Sequence, residues 1–194
     1  MSGQTTTDIH AALVRMRAGD PQAIDALIGR AYLRLHRLAR RQLRGFERVQ
    51  RFQDADDVVQ DACMRLLRRL QVKAPTDPAE FFTWAAREIR CQLLDLVRSH
   101  YGPLGAGRRE ANVSAMPEPA QSESDRLAWW AEFHNQAEKL PAAERCAFEL
   151  RWYHGMAWSE AAAVLNVSEA TIKRHWQSAR ERLQAVLGAD LPGA

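Results

Sequence analysis

Thr171, Arg174, Gln177 and Ser178 are the side chains of this sequence whose types and spacing suit hydrogen bonding to base edges and phosphates. A guanidinium can pair bidentately with guanine, an amide with adenine, and hydroxyls can serve either a base or a phosphate. At 100° per residue the four fall on one side of a helix, opposite Ile172, Trp176, Ala179, Leu183 and Val186, which recur at three and four as an apolar stripe. Any surface helix is polar on one side. Here, however, no acid occurs from Ala170 to Arg180, so nothing on that stretch repels a phosphate backbone. The chemistry this face offers is recognition of nucleic acid rather than bond making.

Side chains of this kind work only if a turn delivers their helix into a groove. Trp158–Leu165 reads as a short helix, Asn166-Val167-Ser168 as a corner, and Glu169–Leu187 as the helix carrying the face. Asn tolerates the left-handed backbone that ends a helix, Ser is a preferred N-cap, and Glu169 places negative charge at the new helix's positive end. This is the pattern of a helix-turn-helix, whose second helix reads the major groove with its N-terminal part.

Catalytic or metal chemistry finds no comparable support. His10, His36, His100, His134, His154 and His175 are scattered, with no paired-carboxylate or metal-ligand spacing around them, which argues against a nuclease. Cys63, Cys91 and Cys146 form no CxxC pair and read as small apolar residues of a reduced, cytoplasmic protein. No cofactor, metal or catalytic residue is expected. The first residues lack a signal-peptide core and no apolar run spans a bilayer, so no membrane insertion is expected.

The chain has 194 residues and a net charge of +3. Its charge is uneven: residues 1–101 hold 17 Lys+Arg against 12 Asp+Glu, and 102–194 hold 10 against 12. Eight arginines and the single acid Glu47 lie between Arg30 and Arg51. Such a block commonly marks a solvated helix face, and a polyanion is the main reason to keep one one-signed. Strand signals are almost absent, and helical periodicity predicts an all-α chain of two small domains. Helices are expected at about 8–18, 21–44, 54–70 and 79–99, then at 125–139, 141–154, 157–165 and 169–187. Gly19 and Gly45 punctuate the first two. Between the halves, 102–124 contains three Gly and three Pro with few large apolar residues, the composition of a flexible linker. The expected domains are therefore 1–101 and 125–194.

Two surfaces of the first domain invite a functional reading. On the helix from Asp54, Val58, Val59, Ala62, Leu66 and Leu70 point inward, leaving Asp57, Gln60, Asp61, Met64 and Arg68 outside. That face suits docking to a protein, while acids at a helix start also simply compensate its dipole; both readings stand. On the helix from Ala79, the apolar side is Phe81, Phe82, Ala85, Ile89, Leu93, Leu96 and Val97. The reverse carries Trp84, Arg87, Arg90, Cys91, Leu94 and Arg98. An exposed Trp among arginines would make a stacking platform for unpaired bases, although Trp84 could instead cover a neighbouring helix.

At this point the sequence resembles the extracytoplasmic-function (ECF) group of bacterial sigma factors. Asp54-Ala55-Asp56-Asp57-Val58-Val59-Gln60-Asp61 is similar to that family's acidic second-region signature, and Phe81, Trp84, Asp95 and Arg98 to its −10 helix. Leu140-Pro141, Arg145, Phe148, Leu150-Arg151 and Gly155 resemble its fourth region, as do Val167-Ser168, Thr171-Ile172-Lys173, Ala179-Arg180 and Arg182-Leu183. The resemblance implies a transcription initiation factor without catalytic activity. By motif position it implies that Asp54, Asp57, Gln60 and Asp61 bind the β′ clamp helices of core RNA polymerase. It places Trp84, Arg87, Arg90, Cys91, Asp95 and Arg98 at the −10 strand. Ser168, Thr171, Lys173, Arg174, His175, Gln177, Ser178 and Arg182 fall to the −35 element. The β flap, promoter DNA and an anti-sigma factor complete the partners it admits. The chain departs from the family pattern at Cys91, where Asn is common, and at Glu88, an apolar position. It departs again at Arg174-His175 for Ser-Arg, at Ala157 for a Ser cap and at Ala161 for Ile. The alternative is a polymerase-independent helix-turn-helix regulator, which would need a ligand pocket or dimer helix within 1–101.

Overall fold

The computed structural model describes residues 2–43, 54–101 and 123–188, and among these every regular element is a helix. Gly45 and most of the segment expected to be a linker, 102–122, lie outside the described residues. The helices are α1 (Ser2–Arg17), α2 (Pro21–Leu43), α3 (Ala55–Val72) and α4 (Pro78–Tyr101), followed by α5 (Glu123–Glu138), α6 (Ala142–Trp152), α7 (Trp158–Leu165) and α8 (Glu169–Leu187). None is long and apolar enough to cross a membrane.

In the first half, α1, α2, α3 and α4 pack successively on one another. Gly19 takes φ +84 between α1 and α2, a left-handed conformation that costs glycine little. Asp20 follows it, accepting from Gln22 N at 2.9 Å and from Arg15 at 2.6 Å. The Arg15 hydrogen bond holds the Asp20 carboxyl below its ordinary range. Leu27, Ala31, Leu35, Leu38 and Ala39 of α2 are buried against Val58, Val59, Ala62, Leu66 and Leu70 of α3 and Phe81, Phe82, Ala85 and Ile89 of α4. For α3 and α4 these belong to the apolar sides the periodicity predicts.

The second half is built on aromatic contacts. Phe148 of α6 stacks on Trp152 at 5.8 Å and on Trp176 of α8 at 5.4 Å, while Phe133 of α5 meets it edge-on at 5.9 Å. The Arg151 guanidinium sits 4.0 Å from the Trp158 ring centroid and 6.0 Å from that of Trp176, and donates to the Met156 carbonyl. His134 and Tyr153, both fully buried, share a 2.7 Å hydrogen bond. Burial drives the His134 imidazole down to about 3 and the Tyr153 phenol up.

The two halves also touch: α1 packs on α7, and α4 packs on α5 and α6. As a result α4 is enclosed on more than its one apolar side, which sets the positions of several residues discussed next.

Candidate polymerase and nucleic-acid interfaces

Asp54 is the N-cap of α3, its Oδ1 accepting from Asp56 N at 2.8 Å and Asp57 N at 3.0 Å, and its own N–H donating to Asp57 Oδ2 at 3.3 Å. This reciprocal capping box gives two of the expected docking acids a structural duty. Asp56 is tied down too, by the Tyr32 hydroxyl at 2.8 Å and His36 Nε2 at 3.0 Å. Its carboxylate, accepting that bond, pushes the Tyr32 phenol above its ordinary range. Beyond the cap, Asp57, Gln60, Asp61, Met64 and Arg68 lie along one exposed ridge, with Met64 44% exposed. A thioether between acids and an amide is a surface that can dock another protein.

The polar side of α4 departs from expectation. Trp84 is 4% exposed, with the Arg69 guanidinium of α3 at 4.1 Å and the Lys73 ammonium at 5.8 Å from its ring centroid. It covers a neighbouring helix and is not an exposed platform. Arg90 is 3% exposed, bonded to Glu149 of α6 at 3.1 Å and to Glu138 of α5 at 3.4 Å. Leu94 is buried as well, and Cys91 half-buried. The reason is geometric: helical periodicity allows α4 one buried side, but α3 covers part of the other and the second half covers more. Arg87 stays exposed with no side-chain partner among the described residues. Asp95 is held by Arg65 at 3.1 Å and lies 3.4 Å from the exposed Arg98.

Beyond α7 the backbone turns at Asn166, which adopts φ 53 and ψ 47, the left-handed region. Ser168 then caps α8, its Oγ accepting from Thr171 N at 3.1 Å and lying 2.9 Å from Thr171 Oγ1. Those two hydroxyls thereby serve the cap. Ala157 gives α7 no side-chain cap. On α8, Lys173 and Arg174 are exposed and His175 half-buried. Lys173 lies 3.6 Å from Glu169, and the exposed Gln177 donates to Glu181 at 2.9 Å, whereas Arg174 has no side-chain partner among the described residues. Ser178, half-buried, and Arg182, exposed, are both engaged by Glu144 of α6, at 3.0 and 2.8 Å. Ser178 adjoins the buried Ala179, close enough to the core side for α6 to reach it.

The acids that engage these basic side chains, Glu144, Glu149 and Glu160, were missed in the sequence because each reaches its partner across a long separation. The arginine block shows the same effect. Arg34 pairs with Glu160 and donates to the His154 carbonyl at 3.0 Å, and Arg41 donates to the Trp152 carbonyl at 3.2 Å. Neither is merely solvated. Among the described residues no group of His, Cys, Asp and Glu is placed to hold a metal.

A family model described as ECF sigma factor matches residues 6–188. The chain is 30% identical over 174 residues to the ECF RNA polymerase sigma factor SigM of Mycobacterium tuberculosis, in two strains, covering 88% of this chain and 80% of that protein. A solved structure of CnrH in complex with the cytosolic domain of CnrY aligns over 95% of this chain and 99% of that one, with 25% identity and a TM-score of 0.40.

Proposed function

The chain belongs to the ECF sigma factor family, and from that premise we propose how its surfaces divide the work of promoter recognition and opening. Sigma factors of this family act in transcription initiation with core RNA polymerase and promoter DNA. The exposed ridge of α3, from Asp57 through Gln60 and Asp61 to Met64, docks on the β′ clamp helices. The α7–α8 corner delivers Lys173, Arg174, His175 and Gln177 to the −35 element, with further polymerase contact at the β flap. Arg87, Arg98 and, once released, Arg90 and Cys91 of α4 follow the unwound −10 strand. Residues 1–101 and 125–194 act as two modules, and 102–124 as the tether that lets both engage at once. The protein has no reaction of its own and works in the cytoplasm. The observation that supports this reading best is the unpartnered, exposed Arg174 on the first turns of α8, directly after a left-handed corner and a serine cap. Adding the purified chain to sigma-free core polymerase and scoring opening of defined promoters tests the whole; no opening on any of them overturns it.

Two substitutions probe the parts. Asp61→Arg is expected to weaken core binding about tenfold or more by charge reversal at the interface, with an unchanged melting temperature, because Asp61 is exposed and outside the capping box. Asp57→Arg should add a loss of about 0.5–2 kcal/mol of stability from the broken cap. Competition with wild type for core enzyme, beside thermal denaturation, separates the two, and unchanged affinity for Asp61→Arg would make the ridge a solvated face. Arg174→Ala is expected to relax preference at a single −35 base pair by ~1–3 kcal/mol, the worth of a bidentate arginine–guanine contact. Lys173→Ala should instead weaken all promoters alike and lower the salt dependence. Selection from a promoter library distinguishes these patterns. An unaltered −35 preference in Arg174→Ala would shift base reading to His175 or Gln177.

A further inference from the structure

The buried side of α4 poses a contradiction for any role in strand binding. The half-chain carrying α5–α8 sits on the centre of the polar face that the proposed −10 function needs, at Arg90. At its centre the Arg90 guanidinium lies between two carboxylates, Glu149 at 3.1 Å and Glu138 at 3.4 Å, where a nucleic-acid backbone would offer phosphates. Around it the halves are joined by a ring of polar contacts. His154 Nε2 donates to the Phe82 carbonyl at 2.8 Å, and its ring meets Phe82 edge-on at 4.9 Å. Arg34 holds Glu160 and the His154 carbonyl, while Arg41 holds the Trp152 carbonyl with its guanidinium 5.2 Å from that ring's centroid.

We infer that the C-terminal half is an intramolecular plug: Glu149 and Glu138 stand in for phosphates on Arg90, and the free chain keeps this central cation of its −10 face closed until the halves part. This rests on the reading of α4 as the −10 helix. The two halves share apolar packing, and the polar contacts set within it suit a reversible closure. Arg90 Nε, Glu149 Oε2, Trp152 Nε1 and His154 Nδ1 are buried with no hydrogen-bond partner in the protein, and each such atom regains hydration when exposed. Burial pushes the Glu149 carboxyl up, against the pull of Arg90, so holding that carboxylate ionised inside the interface is unfavourable. A buried ion pair of this kind confers little net stability compared with its two hydrated halves. Closure is also selective. The helix α8 makes its main contacts with α5, α6 and α7, leaving Lys173 and Arg174 exposed. The closed chain therefore withholds Arg90, at the centre of its strand-binding face, leaving Arg87 and Arg98 exposed around it, while still presenting its duplex-reading face.

Glu160→Arg tests this, since it sets two arginines against each other at the Arg34 contact and touches no residue assigned to DNA. The readouts on the full-length chain are the radius of gyration by X-ray scattering and the affinity for a 20-nucleotide single-stranded DNA of random sequence. Asp25→Arg, an exposed position on α2, controls for added positive charge. If about a tenth of the wild-type molecules are open, releasing the plug raises apparent affinity about tenfold. The radius should grow by several ångströms from the ~16 Å of a compact chain of this length. Neither change is expected for Asp25→Arg, and the exchanged pair Arg34→Glu with Glu160→Arg should restore both values. An unexpanded Glu160→Arg chain whose affinity matches that of Asp25→Arg overturns the plug while leaving the −10 reading of α4 standing. An expanded chain with no gain in affinity overturns that reading, and the plug's role with it.

Discussion

Trp84→Ala is expected to cost about 3–5 kcal/mol of folding stability, the range for removing a large aromatic side chain from a core. The ring is 4% exposed and lies under the Arg69 guanidinium at 4.1 Å, so its loss leaves a cavity between α3 and α4 and strands Arg69 over it. Urea denaturation measures the effect directly, and Trp84→Phe should recover much of it. A role in strand opening requires a different signature. If Trp84→Ala retained wild-type stability but lost permanganate reactivity of promoter thymines, the indole would have to leave its site to stack on a base. Expected instead is normal opening by whatever fraction of the variant remains folded.

A comparable loss should follow acidification alone. His134 and His154 are fully enclosed, and burial brings both imidazoles down to about 3. For His154 the hydrogen bond to the Phe82 carbonyl opposes that fall and the Arg34 charge adds to it. The folded chain thus holds both neutral while the unfolded chain takes up a proton on each below ~6.5. Stability from this source is complete above ~6.5 and falls as pH drops toward about 3. Each imidazole removes about 1.4 kcal/mol per pH unit in that window, so the pair costs about 4 kcal/mol between pH 7 and pH 5. Glu149 acts in the opposite sense. Its raised carboxyl binds a proton more readily in the folded chain, which offsets part of the loss. Denaturation at the two pH values should show the drop in wild type and a flatter response in His134→Gln/His154→Gln. A flat wild-type response would mean that the rings are not held neutral.

What the sequence made legible, and what it concealed, divides along the range of the interactions. Local patterns were readable. Val58, Val59, Ala62, Leu66 and Leu70 recur at helical spacing and are buried, acids open α3 at its positive end, and Asn166 before Val167-Ser168 takes the left-handed corner. The all-helical class follows from such short-range rules. The misplaced residues are those whose partners are remote. Arg90 meets Glu149 fifty-nine residues away and Arg34 meets Glu160 at a separation of 126, pairings that no periodicity encodes. A helical wheel also assumes one buried side per helix. Trp84 and Arg90 fell on the polar side of that wheel, and both are enclosed because α4 lies between its own half and the other. Ser178 was assigned outward for the same reason and is half-buried beside Glu144, an acid that also pairs with the exposed Arg182.

Arg151 sets a limit on how this chain can drift. Its guanidinium faces the Trp158 ring at 4.0 Å and also donates to the Met156 carbonyl, two tasks a planar, weakly hydrated cation performs together. Lysine carries the same charge but as a compact, strongly hydrated ammonium that readily sheds its proton when buried. On the exposed flank of α2, Arg40 can exchange with lysine through ordinary neutral mutation. At position 151 the same exchange is expected to be destabilising, because one ammonium would have to serve the Trp158 face and the Met156 carbonyl together.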